Sequence, residues 1–167
     1  MLFFGHIGIT VGVAKVSRLS KLDYRMVLLG SLLPDIIDKP LFLILGNSFS
    51  LSGRDYGHTL LFNLILLSAG LFLARKGGKW LFSLALGSLM HLIFDQIWHN
   101  METLFWPLLG PLVGGDTSVL MDKLWAGLVK PEVFVPELAG LAVMGWLLYR
   151  LLKIKGIRRF LTTGEIG

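Results

Sequence analysis

Three ionisable residues stand inside one long apolar stretch of this sequence: His91, Asp95 and His99. Their spacing of four residues places them on one face of a helix that runs through all three positions. A buried carboxylate must be paired or bound to a cation, because an unpaired buried charge is strongly unfavourable. Imidazole and carboxylate groups at this spacing can reach one metal ion. The pattern predicts a metal centre, and the alternative is a polar helix face held by ordinary hydrogen bonds.

Further histidines and aspartates lie in or at the ends of other apolar segments: His6, Asp35, Asp38 and His58. Pro34 removes a backbone donor and opens the helix just before the two aspartates, which can face the same way. The alternative is that one aspartate pairs with Lys39 and the other caps the helix. We predict the metal ligands His6, Asp35, Asp38, His58, His91, Asp95 and His99, with His58 and Asp38 as catalytic residues.

The metal itself is limited by the absence of cysteine from the sequence. Without thiolates, only imidazole and carboxylate groups can bind the ion, which favours zinc and also allows manganese, iron or magnesium. The number of predicted ligands is enough for one or two divalent ions.

Composition indicates an integral membrane protein. The 167 residues are 54% hydrophobic and only 16% charged, and the mean hydropathy is +0.70. A soluble domain carries about 25% charged residues. We therefore expect one integral membrane domain over residues 1–167, located in the inner or plasma membrane.

The expected fold is an all-α, polytopic transmembrane bundle with about five membrane segments, which cover residues 2–16, 26–45, 58–74, 80–100 and 133–152. Pro34 and Pro40 should break the second helix. Residues 102–132 are rich in Gly, Pro, Leu and Trp, which predicts a re-entrant or interfacial segment. Residues 153–167 form a basic cytoplasmic tail.

Basic residues fall into groups that predict the orientation. Twelve of the 16 lysines and arginines lie at or directly after the ends of the first, third and fifth segments, and the others are Lys39, Arg54, Lys123 and Lys130. The positive-inside rule then puts the C-terminus in the cytoplasm and the N-terminus outside. Because topology explains the net charge of +5, we expect no nucleic-acid partner. At about 1.5 Å per residue, all seven candidates fall in the outer half of the membrane.

The residues resemble the membrane-bound metal-dependent hydrolase family. The matching motifs lie within about residues 1–110: an early histidine (His6), Leu-Pro-Asp-x-x-Asp (Leu33 to Asp38), Gly-His-Thr (57–59), and His-Leu-x-x-Asp (His91 to Asp95) followed by Leu-Phe-Trp-Pro (104–107). The family usually has Arg-Gly-x-Thr-His at the third motif, whereas this chain has Arg-Asp-Tyr-Gly-His-Thr over 54–59. The resemblance implies a metal site and a hydrolase.

We therefore expect a membrane-embedded metal-dependent hydrolase that cleaves a phosphoester or phosphoanhydride of a lipid or lipid-linked substrate at the outer leaflet. Arg54, Lys123 and Lys130 could bind a substrate phosphate or be ordinary surface charges, and Trp125 should affect substrate binding. One alternative is a metal-independent lipid phosphatase with a histidine nucleophile, since His58 and His91 faintly resemble the phosphatidic-acid phosphatase type 2 family. The other is a divalent cation transporter, because buried Asp and His also line ion pathways.

Overall fold

The computed structural model describes residues 3–17, 22–49, 51–112, 114 and 129–166. These ranges contain α-helices, a 3₁₀ turn at Ile97–His99 and no β-strand. The helices, numbered in chain order, are α1 (Phe3–Val16), α2 (Tyr24–Gly30), α3 (Leu33–Phe49), α4 (Leu60–Arg75), α5 (Trp80–Phe94), α6 (Met101–Leu104), α7 (Pro131–Lys153) and α8 (Ile157–Thr163).

The prediction of a bundle with about five membrane-crossing segments is wrong. Within the described ranges, α7 is the one helix that is long and apolar enough to cross a membrane, with 23 residues and a mean hydropathy of 1.4. Helices α1, α4 and α5 are apolar but have 14, 16 and 15 residues. A crossing needs about 20 residues, because each residue advances a helix by only about 1.5 Å through a hydrocarbon core about 30 Å thick.

Two of the predicted segments are divided by turns. The second breaks at Ser31–Leu32, between α2 and α3, whereas Pro34 and Pro40 both lie inside α3. Pro34 fits there because the first turn of a helix has no acceptor for the missing N–H. The fourth segment ends as a helix at Phe94, since Gln96 adopts the left-handed conformation with φ 52°.

Helices α1 and α7 pack side by side and run parallel. The Glu137 carboxylate accepts hydrogen bonds from the backbone N–H groups of Phe4 (2.8 Å) and Gly5 (3.1 Å) at the start of α1. Gly8 and Gly140 meet where the two backbones cross, and a Cβ on Gly8 would overlap the backbone of Gly140. Small residues at such crossings let membrane-protein helices approach closely.

Helices α2 and α4 both pack against α5. Ser83 Oγ accepts from the backbone N–H of Asp23 (2.9 Å) near the start of α2, which runs parallel to α5. Ser88 Oγ donates to Asn63 Oδ1 (2.7 Å) on α4, which runs antiparallel. The starts of α1 and α4 and the end of α5 therefore lie together, and we call this the site end. A buried apolar cluster lies toward the opposite end and contains Val11, Ala14, Leu22, Tyr24, Val27, Leu147, Leu151 and Ile166.

The predicted re-entrant or interfacial segment, 102–132, is described only in part. Lys123 and Trp125 lie outside the described residues. The described part begins with α6 and continues through a turn that contains a cis peptide bond between Trp106 and Pro107. The predicted basic tail, 153–167, contains α8, and its Arg159 pairs with Glu165.

Candidate metal centre

Five of the predicted ligands meet at the site end, although four separate stretches of chain supply them: His6, Asp35, His58, His91 and Asp95. Their nitrogen and oxygen atoms form two overlapping groups, His6/Asp35/His91 and His58/His91/Asp95. Within each group the donor atoms lie within 4.8 Å of one another. The side chains of the three histidines are almost completely buried.

The two central histidines turn one ring nitrogen toward each other. His91 Nε2 lies 3.2 Å from His58 Nε2. The Nδ1–H of His91 donates to the Ser31 carbonyl (2.7 Å), which can only accept. The Nδ1–H of His58 donates to the Asp38 carboxylate (2.7 Å). With both Nδ1 atoms protonated, neutral rings place two Nε2 lone pairs face to face, an arrangement that a shared cation would stabilise.

Asp38 lies behind His58 and holds its ring. The carboxylate also accepts backbone N–H groups from Asp55 (2.7 Å), Gly57 (2.9 Å) and His58 (3.2 Å), and it is fully buried. Both of its oxygens are therefore used within the loop, and Asp38 belongs to neither donor group. Carboxylates placed behind a ligating histidine commonly fix its orientation and tautomer.

The Gly-His-Thr motif has a physical role at each position. A Cβ on Gly57 would approach the Pro34 Cα to 2.9 Å, so glycine permits the loop to lie against α3. Thr59 Oγ1 accepts from the Phe62 N–H (3.1 Å) and caps the start of α4. Between them, His58 is fixed on a tight turn with its Nε2 directed into the cluster.

His6 stacks on the face of His91, with ring centroids 4.0 Å apart and planes inclined by 19°. Its Nε2 lies 3.8 Å from Asp95 Oδ1. Neither ring nitrogen of His6 has a hydrogen-bond partner within the described part of the chain, although the residue is only 1% exposed. A buried polar atom without a partner is uncommon and calls for an explanation. Metal ligation would satisfy one of the two nitrogens.

Two basic residues contact the carboxylates from the exposed side. Lys39 Nζ lies 2.6 Å from Asp35 Oδ2, and Arg54 Nε lies 2.7 Å from Asp95 Oδ2. Burial works to raise the pKa of Asp35, but the Lys39 charge and the nearby histidines outweigh it and lower the pKa below its ordinary value. Asp35 is therefore charged at neutral pH. The Lys39 and Arg54 side chains are 42% and 48% exposed, so they mark the mouth of the cluster.

His99 lies apart from the other candidates. The prediction that it shares a helix face with His91 and Asp95 is wrong, because α5 ends at Phe94 and His99 sits in the 3₁₀ turn. The residue is exposed, and its described ring contact is with Trp98. It belongs to neither donor group.

Several positioning residues have no obvious signal in the sequence. Asp55 is buried and accepts from the N–H groups of Ser52 (3.0 Å) and Gly53 (2.9 Å), which closes the loop before His58. Asn63 donates to the carbonyls of Gly57 (3.0 Å) and Thr59 (2.9 Å). A polar residue inside an apolar helix, five positions after His58, is the one cue that could have identified Asn63.

The donor set fits a divalent ion of the zinc type. Nitrogen and oxygen ligands about 2.0–2.1 Å from a tetrahedral ion lie about 3.3 Å from one another. The donor atoms here are 3.2 Å apart for His58 and His91, 3.7 Å for His58 and Asp35, and 4.0 Å for His58 and Asp95. His91 Nε2 is common to both groups and has a single lone pair, so this geometry favours one ion over two.

Fold and site together define a class. The described residues are helical, include one membrane-span candidate, and form a buried cluster of histidines and aspartates at one end. Comparison with family models gives the family. The chain matches the YdjM inner membrane protein model over residues 1–160 and belongs to that family. Membership indicates a membrane location. No curated protein and no solved structure has a significant match to the chain.

Proposed function

We propose that this chain is a metal-dependent hydrolase that cleaves a phosphoester or phosphoanhydride of a lipid or lipid-linked substrate. The observation that carries the proposal is the His58/His91 pair, whose Nε2 atoms lie 3.2 Å apart while both Nδ1–H groups point away. Asp35 and Asp95 add carboxylate oxygens beside them. A divalent ion held by these residues, with zinc the best fit, would acidify a water molecule and polarise the phosphoryl group.

The other residues of the site have separate tasks. Asp38 positions His58 through its Nδ1–H. Arg54, half exposed beside Asp95, can present two N–H groups to phosphate oxygens, a geometry that guanidinium groups favour. Lys39 adds a second positive charge at the mouth. The inner-membrane family and the exposed apolar side chains next to the mouth support a lipid over a soluble substrate.

Hydrolysis of a panel of lipid phosphates by the purified full-length chain tests this function. We expect a chelator to stop phosphate release and one divalent metal to restore it. If metal-loaded protein leaves every lipid phosphate in a broad panel intact, the hydrolase proposal is wrong, and only the metal site would stand.

The Asp38–His58 pair also supports a second candidate, a lipid phosphatase in which His58 Nε2 is the nucleophile. Such an enzyme would keep working in chelator and would form a phosphohistidine at position 58. Trapping with labelled substrate and mapping of the modified peptide separate the two candidates.

For orientation, we propose that the site end faces the outer side and that the carboxyl end of α7 faces the cytoplasm. Arg150 and Lys153 lie in the last turn of α7, as the positive-inside rule requires. Single cysteines at Ser52 and Lys155 can report this, since the chain has no native cysteine. An impermeant reagent should label position 52 on intact cells, and labelling of position 155 alone would refute the orientation.

A further inference from the structure

A shallow apolar groove of about 290 Å³ opens beside the candidate metal centre. One wall is the first turns of α4, where Leu60, Leu61 and Leu64 share a face, and the other is residues 104–108. The volume is close to the lower limit of about 300 Å³ for small-molecule pockets. It suits a narrow apolar ligand such as a single hydrocarbon chain.

The groove is physically joined to the metal centre. Leu60 follows His58 by two residues along the chain. Thr103 Oγ1 donates to the Arg54 carbonyl (3.2 Å), which ties the second wall to the loop that carries the site. The Tyr56 ring meets the Trp106 ring edge-on, with centroids 5.3 Å apart. A ligand lying in the groove would therefore have its polar end close to the mouth of the cluster.

Charge at that mouth selects the kind of ligand. Arg54 and Lys39 are both about half exposed there and both positive. An apolar groove beside a loop that carries a cation complements a molecule with an apolar chain and an anionic head. Lys39 and Arg54 each contact one aspartate, and each has further N–H donors that an anionic phosphate can accept.

We propose that this groove binds one acyl chain of an anionic phospholipid and that Arg54 and Lys39 receive its phosphate. The inference rests on the proposed hydrolase function and assigns the substrate's hydrocarbon to a place on the protein. The acyl chain already lies in hydrocarbon in a micelle or bilayer, so the groove should select ligands by steric fit and by the charge of the headgroup.

A photoreactive phosphatidic acid with a diazirine in one acyl chain tests the proposal on the full chain in detergent micelles. We expect crosslinks at residues 60–64 and 104–108. The variant Leu64→Trp fills the groove and should lower this labelling about tenfold or more. Ile65→Trp is the matched control, because Ile65 is the next residue, is 62% exposed and does not line the groove. Diacylglycerol with the same photoreactive chain should label these residues less.

Three results would overturn the groove assignment. They are equal labelling of Leu64→Trp and wild type, labels spread evenly over the apolar surface, and a dimer of this chain that shields the groove. Zinc content and phosphate release, measured on the same samples, keep the two proposals apart. Groove labelling without metal or hydrolysis supports the lipid site and refutes the hydrolase, whereas hydrolysis without groove labelling does the reverse.

Discussion

The two ends of the helical body satisfy their buried polar groups in different ways. Away from the site, Asp23 pairs with Arg25 through two hydrogen bonds (2.7 and 3.0 Å) and caps α2, and the hydrogen bonds from Arg25 lower the pKa of Asp23. At the site end, both nitrogens of His6 lack hydrogen-bond partners within the described chain. Asp23 is therefore satisfied by protein groups, whereas a bound cation would satisfy a ring nitrogen of His6 at the site end.

We infer from this difference that the end with the apolar cluster mainly provides stability and that the site end mainly provides function. The apolar cluster around Leu147 gains from burial, so changes there should lower the free energy of unfolding without touching chemistry. The site end gathers three histidines and two carboxylates. Lys39 and Arg54 pair with the carboxylates, whereas the facing Nε2 atoms of His58 and His91 would be satisfied by a cation. Functional sites commonly contain arrangements that are unfavourable for stability and that the rest of a fold avoids.

The largest effect should come from His91→Ala, since its Nε2 belongs to both donor groups. We expect metal affinity to fall by more than about 100-fold, beyond the loss typical of residues that only orient a ligand. Isothermal titration with zinc measures it. The matched control is Leu147→Ala, which should cost about 2–5 kcal/mol of stability while leaving metal affinity unchanged. Equal metal affinities in the two variants would refute the contrast between the ends.

Asp38→Asn should have the next largest effect. The amide cannot take the His58 Nδ1–H and the loop N–H groups as the carboxylate does, so His58 loses its fixed tautomer. We expect a loss of about 10–100-fold in metal affinity, with the fold retained. Nitrogen NMR of the His58 ring reports the tautomer directly. A variant with wild-type affinity and an unchanged spectrum would show that Asp38 does not position His58.

Gly8→Ala should have a moderate effect, because its Cβ would overlap the backbone of Gly140 and push α1 from α7. We expect a destabilisation of about 1–3 kcal/mol. Metal affinity should also weaken, since His6 lies only two residues earlier in α1. Gly12→Ala is the control, because its Cβ would meet the Val143 side chain at an ordinary 3.5 Å. Denaturant unfolding of both variants checks the prediction, and equal losses in the two would contradict it.

His99→Ala should have the smallest effect. The residue is exposed and outside both donor groups, so metal affinity should equal that of wild type. Because His91→Ala removes the same kind of side chain, the two variants form a matched pair. A large loss of metal from His99→Ala would mean that His99 moves into the site on binding.

The sequence predicts which residues come together more accurately than it predicts where the helices end. Apolar segments separated by basic clusters indicate an all-helical chain, and a histidine or aspartate in each of the first four segments indicates a shared site. The end of α5 could not be predicted from hydropathy, because the left-handed Gln96 interrupts an otherwise apolar, helix-like stretch. Hydropathy alone continues through it, so His99 was wrongly placed on the helix face.

The predicted length of the second segment is wrong for a related reason. Hydropathy merged α2 and α3 into one predicted segment, although the chain turns at Ser31–Leu32. The turn matters for the site because it makes the Ser31 carbonyl available to His91. The sequence also does not predict that Asp38 orients the His58 ring, since this contact depends on how a loop twenty residues away folds onto α3.

The most direct test of the metal centre is elemental analysis of full-length protein purified without any chelator, combined with X-ray absorption spectroscopy at the edge of the metal found. The site predicts about one equivalent of a first-row divalent metal, with nitrogen and oxygen neighbours at about 2.0–2.1 Å. Less than about a tenth of an equivalent, in protein that also fails to take up added zinc, would contradict the metal centre.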